Sequence, residues 1–476
     1  MAPLIRMCGP KLAIEADLKA GEKVVLDKSV FDPNDSIFDP TTRPSLSSAI
    51  AMIVGSQSGF EIPFAAVPLS HHVDMAEQNL YRCLFGRDSL LISDFLKNER
   101  PEMRLNVVLA LASVQGASFD SLSEEEPGRI AHEVRDANDA RGLELAMNGN
   151  WKFPYYGSVD ATLIWLRVLA EISNDDDTIL DIEVAGLPIW RRALLATEWV
   201  LERLNTPSGL IESHRANPHG ISNQVWKDSG DSYMHSDGTL ARGDSTASVE
   251  TVAEAFEALL AARSIQALRP DPSWPLSMLE LQERATKLQS RLIDLMWLGD
   301  RFALGTERNS AGEQKPLDSQ ASNQGRLLDS HVLVGKEFES FRIAISQALC
   351  DSDLLGATGL RTLSKSHVSY RPGGYHTGSA WPMDGIFAAR GLAKHGFIRE
   401  AKLLASKSKF AIESFGGYPE FFRGDWPDNG LISTSVVDVL SVSAGSIGAR
   451  NRVSQPPQII QGWTVGAYAW LREFYS

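Results

Sequence analysis

Cysteine is scarce in this chain, which has three in 476 residues. Cys8, Cys83 and Cys350 are odd in number and far apart, which excludes a disulfide framework and a cysteine-rich zinc cluster. Scarce thiols of this kind are typical of a reducing compartment, so we expect a cytoplasmic protein.

Long apolar runs are also missing. No stretch approaches the roughly 18 apolar residues that a membrane-spanning helix needs. The sequence starts MAPLIRMCGP, without the basic region and following apolar core that mark a secretory signal. We therefore expect no membrane partner.

Basic residues are outnumbered, with 46 Lys and Arg against 60 Asp and Glu and a net charge of −14. A protein of this sign is repelled by nucleic acid and anionic membranes, but it is compatible with a neutral substrate such as a sugar. Metal-ligand patterns are weak as well, because His132-Glu133 lacks the second histidine of a zinc helix. We expect no metal, no cofactor and no nucleic-acid partner.

Helical periodicity dominates from about residue 75 onward, whereas sustained strand alternation is scarce. The predicted helical segments are 90–96, 103–113, 161–172, 190–204, 249–265, 278–297, 341–349, 379–393, 400–414, 436–442 and 463–474. Several connections between them are longer than ordinary helix–helix loops, which favours a functional role for those loops. This pattern predicts an all-α protein, an (α/α)6 barrel with long active-site loops. We expect the barrel to be formed by residues 76–476, with residues 1–75 as an irregular segment packed on it.

Tryptophan is plentiful, with eleven in the chain, and several stand in loops beside polar residues. Sugar rings have apolar faces that pack on aromatic rings, so these positions indicate carbohydrate binding. Core packing near the surface is the alternative for each of them, and Trp226 and Trp381 are the best candidates for the sugar role.

Two loop segments combine carboxylates with aromatic residues. WKDSGDS carries Asp228 and Asp231, and YPEFF carries Glu420 nearly two hundred residues later. Two carboxylates brought together by folding can cleave a glycosidic bond, because one protonates the leaving oxygen while the other activates water or attacks the sugar carbon. The alternative is that each is a solvated loop acid.

Arg87 and Asp88 open a predicted helix within the motif FGRDS. An acid in the first helical turn stabilises unpaired backbone N–H groups, which is one explanation for Asp88. The other is a polar fork that binds the hydroxyls of a terminal sugar, because such groups discriminate strongly between hydroxyl positions.

Eight motifs in order resemble the catalytic domain of bacterial and archaeal glycogen-debranching-type amylo-α-1,6-glucosidases. They are FGRDS, EEPGRIAHEVR, YYGSVDAT, NQVWKDSGDS, KPLDSQASNQGRLL, TGSAWPMDG, YPEFF and QGWTVGA. The resemblance extends from about residue 80 to the end. It places the chain in a wider group of (α/α)6 glycosidases that includes glucoamylases, trehalases and processing α-glucosidases, with hydrolases of glucosyl- and mannosylglycerate among the bacterial members. The resemblance implies an inverting mechanism with an Asp acid and a Glu base.

Carried over to this sequence, the resemblance implies that Asp231 is the general acid and Glu420 the general base, with Asp228 as the rival acid. It implies that Arg87 and Asp88 hold the terminal sugar. Further substrate-binding or supporting positions are expected at Phe85, His132, Glu133, Tyr156, Asp160, Trp226, Lys227, Asn323, Trp381, Asp384, Gln461 and Trp463.

The sequence departs from the family pattern at Gly230, Met383 and Gly385, which are smaller or less polar than the residues expected near the cleaved bond. We therefore expect an exo-acting α-glucosidase for a short α-glucoside or a glucose conjugate. The alternatives are an amylo-α-1,6-glucosidase acting on glycogen-derived oligosaccharides, a sugar epimerase or isomerase with paired histidines, and a non-catalytic sugar-binding protein. The partner is a small carbohydrate in each case, and the sequence leaves open whether the chain forms a homo-oligomer.

Overall fold

The computed structural model describes residues 4–8, 11–15, 44–67, 81–241, 245–309, 311–415, 417–424, 458 and 460–476. The α-helices in this part of the chain are α1 (Leu46–Ile53), α2 (Gly86–Phe95), α3 (Glu102–Ala112), α4 (Ala140–Gly149), α5 (Asp160–Asp175), α6 (Ile189–Arg203), α7 (Val249–Leu268), α8 (Met278–Met296), α9 (Gly325–Asp329), α10 (Glu339–Cys350), α11 (Pro382–Lys394), α12 (Ile398–Phe415) and α13 (Gly462–Phe474). The fold is rich in helix, as the sequence predicts.

The strands are short and pair antiparallel. They are β1 (Leu4–Cys8), β2 (Lys11–Glu15), β3 (Val54–Gln57), β4 (Phe60–Pro63), β5 (Leu84–Phe85), β6 (Glu133–Val134), β7 (Glu183–Val184), β8 (Leu187–Pro188), β9 (Ser245–Ser248), β10 (Gly305–Arg308), β11 (Gln314–Leu317), β12 (Leu355–Gly356) and β13 (Gly359–Leu360). Strands β9, β10 and β11 form a three-stranded sheet in the order β11-β10-β9, and the others form two-stranded pairs.

Six helices contact one another in a closed cyclic order. Helix α2 contacts α5, and the series continues through α7, α9, α11 and α13 back to α2. All 10 residues of α2 are buried, and ten of the 13 residues of α11 are buried as well. A helix that is buried on every side lies in the interior of a protein, so this ring forms the inner layer.

A second set of helices packs outside the ring. Helix α1 contacts α13, α3 contacts α2 and α5, α6 contacts α5 and α7, α8 contacts α7, α10 contacts α9, and α12 contacts α11 and α13. Helix α8 shows why: its buried residues recur at helical spacing as Leu281, Ala285, Leu288, Leu292 and Met296. One apolar stripe opposite a polar face suits a helix that is covered on one side only.

Capping residues fix where several helices begin. Ser277 and Glu280 form a capping box at α8, in which each side chain bonds the other residue's backbone N–H. Pro382 occupies the first turn of α11, so this helix begins three residues later than the predicted segment 379–393. Proline fits there because its missing N–H has no partner in the first turn.

Each predicted helical segment within the described residues coincides with a helix, and segment 436–442 lies outside them. Helices α1, α4 and α9 were not predicted. Within the segment expected to be irregular, β1 pairs with β2, and α1 leads into the β3–β4 hairpin. The described helices include none that is both long and apolar enough to cross a membrane.

Candidate active site

A small cavity of about 70 Å³ lies at the N-terminal ends of α2, α11 and α13. Its wall is formed by Ala65, Ala66, Tyr81, Phe85, Arg87, Asp88, His132, Trp226, Asp228, Tyr375, His376, Trp381, Glu420, Gln458, Gln461 and Trp463. Loops supply the residues that do not come from helix starts. Ten of the predicted site residues therefore lie on one wall: Phe85, Arg87, Asp88, His132, Trp226, Asp228, Trp381, Glu420, Gln461 and Trp463.

Glu420 is buried, and its carboxylate is held at both oxygens. The Tyr375 hydroxyl donates to Oε1 at 2.6 Å, and the Gln458 backbone N–H donates to Oε2 at 3.1 Å. The backbone of Glu420 also donates to the Gln458 carbonyl at 2.8 Å. Donors of this kind stabilise a carboxylate in its ionised form and fix its orientation, as a general base requires.

Asp228 also lines the cavity, and its Oδ2 atom is 3.9 Å from a terminal nitrogen of Arg87. The Asp228 side chain is 34% exposed, and its partial burial raises the pKa to about 6, although the Arg87 guanidinium favours the ionised form. A carboxyl that keeps its proton near neutral pH can act as a general acid.

Asp231 is placed differently from its rival. It is not among the residues that line this cavity, and its Oδ1 atom is buried with no hydrogen-bond partner among the described residues. Of the two acids in the loop 226–232, Asp228 lines the cavity, and Asp231 is not among its lining residues.

Arg87 is buried and donates from Nε to Oδ2 of Asp160 at 2.7 Å. Burial opposes its charge, but the Asp160 and Asp228 carboxylates raise the pKa of Arg87 overall. Asp160 begins α5 and does not line the cavity, so its contribution is to orient Arg87.

Asp88 lies in the first turn of α2 without acting as its cap, since the N-cap position is Phe85 and no side chain bonds there. Burial raises the pKa of Asp88 to about 7, and the Asp228, Asp160 and Glu420 carboxylates add to the shift while Arg87 opposes it. The carboxyl is directed to the cavity rather than to the helix backbone.

Aromatic rings cover one side of the cavity. Trp226 meets Trp381 edge to face at 5.8 Å between centroids, and Trp381 stacks on His376 at 5.4 Å. Trp226 and Trp463 each have a buried indole N–H without a hydrogen-bond partner in the described part of the chain. An apolar wall with unpaired donors matches a sugar, whose faces are apolar and whose hydroxyls accept hydrogen bonds.

A second layer of polar residues supports the wall from behind. Lys227 is buried, points away from the cavity, and donates to Asn323 and to the Thr362 carbonyl, the latter at 2.7 Å. Asn323 donates to Glu250 at 2.8 Å. Burial lowers the pKa of Lys227 to about 8, with Asp384 and Glu250 opposing the shift. Lys227, Asn323 and Asp384 therefore lie behind the wall rather than on it.

Two other predicted positions lie away from the cavity wall. The Tyr156 hydroxyl donates to the Val114 carbonyl at 2.7 Å, and Glu133 pairs with Arg135. Gly385 also differs from expectation, because a Cβ there would meet Ser408 Oγ at 3.0 Å, on α12, so it does not border the cavity.

Sequence reasoning missed Tyr81, Tyr375, His376 and Gln458 on the cavity wall. Tyr375 and His376 directly precede the motif TGSAWPMDG, so extending that motif by two residues would have found them. No local pattern marks Gln458, which acts through its backbone.

Both histidines of the wall are held neutral. Burial lowers the pKa of His132 and of His376 well below the usual value, and the Arg87 cation adds to each shift. A pair of proton-shuttling histidines, as an epimerase requires, is disfavoured by these surroundings. Among the described residues, no group of three or more His, Cys, Asp or Glu is arranged to hold a metal ion.

No family model matches the chain, and no curated protein is significantly similar to it in sequence. Solved structures are similar in fold. A mannosylglycerate hydrolase of glycoside hydrolase family 63 from Thermus thermophilus, in complex with Tris and D-glycerate, has a TM-score of 0.56 and 14% identity, over 89% of this chain and 98% of that one. The same hydrolase in complex with glucose has a TM-score of 0.56 and 16% identity, over the same shares of the two chains. The chain therefore has the fold of these structures, while the glycogen-debranching type stays a prediction.

Proposed function

We propose that the protein is an inverting glycoside hydrolase that removes a terminal sugar from a short α-glucoside or glucose conjugate. The observation that carries the proposal is the convergence of Asp88, Asp228 and Glu420 on one cavity that tryptophan side chains also line. A pair of carboxyls can cleave a glycosidic bond, and aromatic rings beside them can pack against the face of the sugar. The fold of a glycoside hydrolase supports the same reading.

In this proposal, Glu420 takes a proton from a water molecule as that water attacks the anomeric carbon. The Tyr375 and Gln458 donors keep the carboxylate ionised and aligned for this step. The acid on the opposite side gives its proton to the glycosidic oxygen as the bond breaks. Arg87 and Asp88 bind hydroxyls of the terminal sugar.

We assign the acid to Asp228, because it lines the cavity and its pKa is raised to about 6. Asp231, the acid implied by the family resemblance, is the alternative, since it lies in the same loop three residues after Asp228. Gly230 has open space where a Cβ would stand, so the loop is not packed against a neighbour at that point.

A single sugar ring with a small leaving group suits this site better than a glucan chain. The cavity is small, about 70 Å³, which leaves little room for an extended glucan chain. The structurally similar hydrolase was solved with glucose and with D-glycerate, both of them small. We also propose that the helix ring and the helices outside it are the inner and outer layers of an (α/α)6 barrel.

A panel of glucosides and mannosides with different aglycones, including maltooligosaccharides and limit dextrin, tests this proposal. We expect release of free sugar from disaccharides or small conjugates with a higher kcat/KM than from long glucans, and a kcat lowered by about 10²–10⁴-fold in the Glu420→Gln variant. Sugar isomerisation without cleavage, or binding without turnover, would contradict it. Rates that climb with chain length would favour the debranching alternative.

A further inference from the structure

Two adjacent residues, Tyr375 and His376, contact both Glu420 and the loop that carries Asp228. The Tyr375 hydroxyl donates to Oε1 of Glu420 at 2.6 Å. His376 Nδ1 lies 2.8 Å from Ser229 Oγ, and Ser229 follows Asp228 directly in the chain. One dipeptide therefore touches the base and the loop that carries the acid.

The hydrogen bonds to His376 determine which ring nitrogen carries the proton. The Ser229 backbone N–H also points to Nδ1, at 3.4 Å, so Nδ1 acts as an acceptor. Because burial keeps the ring neutral, the proton is on Nε2. The ring thus accepts hydrogen bonds from the acid-bearing loop, and this contact does not change over the neutral pH range.

The dipeptide is itself held rigidly. The Trp381 indole N–H donates to the Tyr375 carbonyl at 2.8 Å, and the Ser379 hydroxyl donates to the same carbonyl at 2.6 Å. The Trp381 ring also stacks on the His376 ring. Trp381 precedes α11, so the dipeptide is fixed to the start of a ring helix.

The loop is anchored on its own side as well. The Asn223 side-chain amide donates to the Ser229 carbonyl at 2.7 Å, and the Ser232 hydroxyl donates to the same carbonyl at 2.6 Å. Ser229 lies between Asp228 and Asp231, so the bond to His376 positions the loop whichever of the two is the acid.

We propose that Tyr375 and His376 act together as positioning residues that set the separation between the catalytic acid and the catalytic base. This inference rests on the proposed function, because the separation of the two carboxyls decides whether a water molecule fits between them. Since the two contacts come from consecutive residues, a shift at one side is transmitted to the other.

Tyr375→Phe removes the hydrogen bond to Glu420, and Ser229→Ala removes the short hydroxyl contact to His376 and leaves only the 3.4 Å backbone N–H contact. We expect each variant to lose on the order of 10–100-fold in kcat, with KM within about threefold of the parent, because misplacement of reacting groups by about 1 Å costs that much. The acidic limb of the Tyr375→Phe pH profile should move to higher pH, since Glu420 loses a donor that favours its ionised form.

The double variant separates a shared role from two independent ones. If both contacts set one distance, the double variant should lose little more than the more severe single variant. Losses that multiply, an unchanged kcat, or an effect on KM alone would overturn the inference. Tyr475→Phe and Ser113→Ala are matched controls, because they remove hydroxyls that donate to the Lys402 and Ala110 carbonyls away from the cavity.

The parent protein is assayed on the same panel, and the melting temperature of each variant shows whether it folds. If the parent cleaves no glycoside of the panel, the proposed function fails and this inference fails with it. If the parent cleaves but the two variants match their controls, only the inference fails. If Tyr375→Phe does not fold, Ser229→Ala alone tests the inference. A loss in kcat with KM little changed supports it, and an effect on KM alone contradicts it.

Discussion

At the scale of single residues, the surroundings of each carboxyl indicate whether it acts as an acid or as a base, which composition alone does not. The Glu420 carboxylate accepts hydrogen bonds from Tyr375 and from the Gln458 backbone, whereas Asp88 is buried, Asp228 has 34% of its side chain exposed, and both of these acids have raised pKa values. Surroundings that push the protonation states of neighbouring acids apart are what acid–base catalysis requires.

Replacing the carboxyls one at a time tests the assignment of the acid. We expect Asp228→Asn and Glu420→Gln to lose about 10²–10⁴-fold in kcat, the usual contribution of a positioned acid or base. Because Asp228 must be protonated and its pKa is about 6, kcat/KM of the parent should fall as pH rises above about 6. Steady-state kinetics across pH 4–9 checks both points. A large loss in Asp231→Asn with near-normal Asp228→Asn would move the acid to Asp231.

Asp88→Asn should lower the catalytic activity of the protein and raise its melting temperature. In the folded protein the pKa of Asp88 is raised to about 7, above the value of about 3.9 in the unfolded chain. Its contribution to stability is therefore fully present below pH 4 and is lost as pH rises to about 7. We expect the variant to lose tenfold or more in kcat/KM, while its melting temperature gains more over the parent at pH 8 than at pH 5. A loss of stability with normal kinetics would instead indicate a helix-end role.

Much of the cavity wall could be predicted from residue types, and some could not. Arg87, Trp226 and Glu420 stood in motifs whose composition already indicated sugar chemistry. Tyr375 lies 45 positions from the carboxylate that it contacts, so its bond to Glu420 is a product of the tertiary fold. The orientation of Asp228 against Asp231 is likewise a backbone property of one turn, which spacing alone does not determine.

At the scale of helices and strands, an element could be predicted when its own sequence marks it, and not when packing against other helices stabilises it. Helix α8 has an amphipathic stripe and a capping box, and both are visible in sequence. Helix α9 has 5 residues, too few for a periodic pattern, yet it completes the ring because α7 and α11 pack against it. Short elements that tertiary packing stabilises escape periodicity analysis.

Gln461 connects a helix start with the cavity. Its side-chain oxygen accepts from the backbone N–H of Trp463 at 2.6 Å and of Thr464 at 3.3 Å, which caps α13. We expect Gln461→Ala to lower the free energy of unfolding by about 1 kcal/mol, the usual cost of a lost cap, and to reduce kcat/KM. Ser277→Ala at α8 is the control, with a similar stability loss and unchanged kinetics. Denaturant unfolding and kinetics on both variants provide the comparison.

At the scale of the whole molecule, the two ends of the helix ring carry different chemistry. The N-terminal ends hold the candidate active site, and the other end holds ion pairs between ring helices. Arg390 of α11 forms a two-pronged bond to Asp329 of α9, at 2.6 Å for each nitrogen. Asp94 of α2 lies 3.3 Å from Arg167 of α5 and 3.6 Å from Arg390. These pairs join helices that are distant in sequence.

The ion pairs predict a loss of stability in acid. Burial by itself would raise the pKa of Asp94, but Arg167 and Arg390 lower it to about 2. The unfolded chain therefore binds more protons between about pH 4 and pH 2, and stability falls as pH falls through that window. We expect Asp94→Asn to cost about 2 kcal/mol at pH 7, because it removes the buried carboxylate that Arg167 and Arg390 share, and less near pH 2. The exposed Asp300→Asn should cost under about 1 kcal/mol; equal effects of the two variants in urea unfolding would contradict the assignment.

The most direct test of the central claim is the anomeric form of the sugar that is first released. Proton NMR during cleavage of an α-glucoside, in the first minutes before mutarotation, should show the β-anomer accumulating ahead of the α-anomer. This result follows if Glu420 activates a water molecule that attacks opposite to the leaving group. Initial release of the α-anomer would show a retaining reaction and contradict the account.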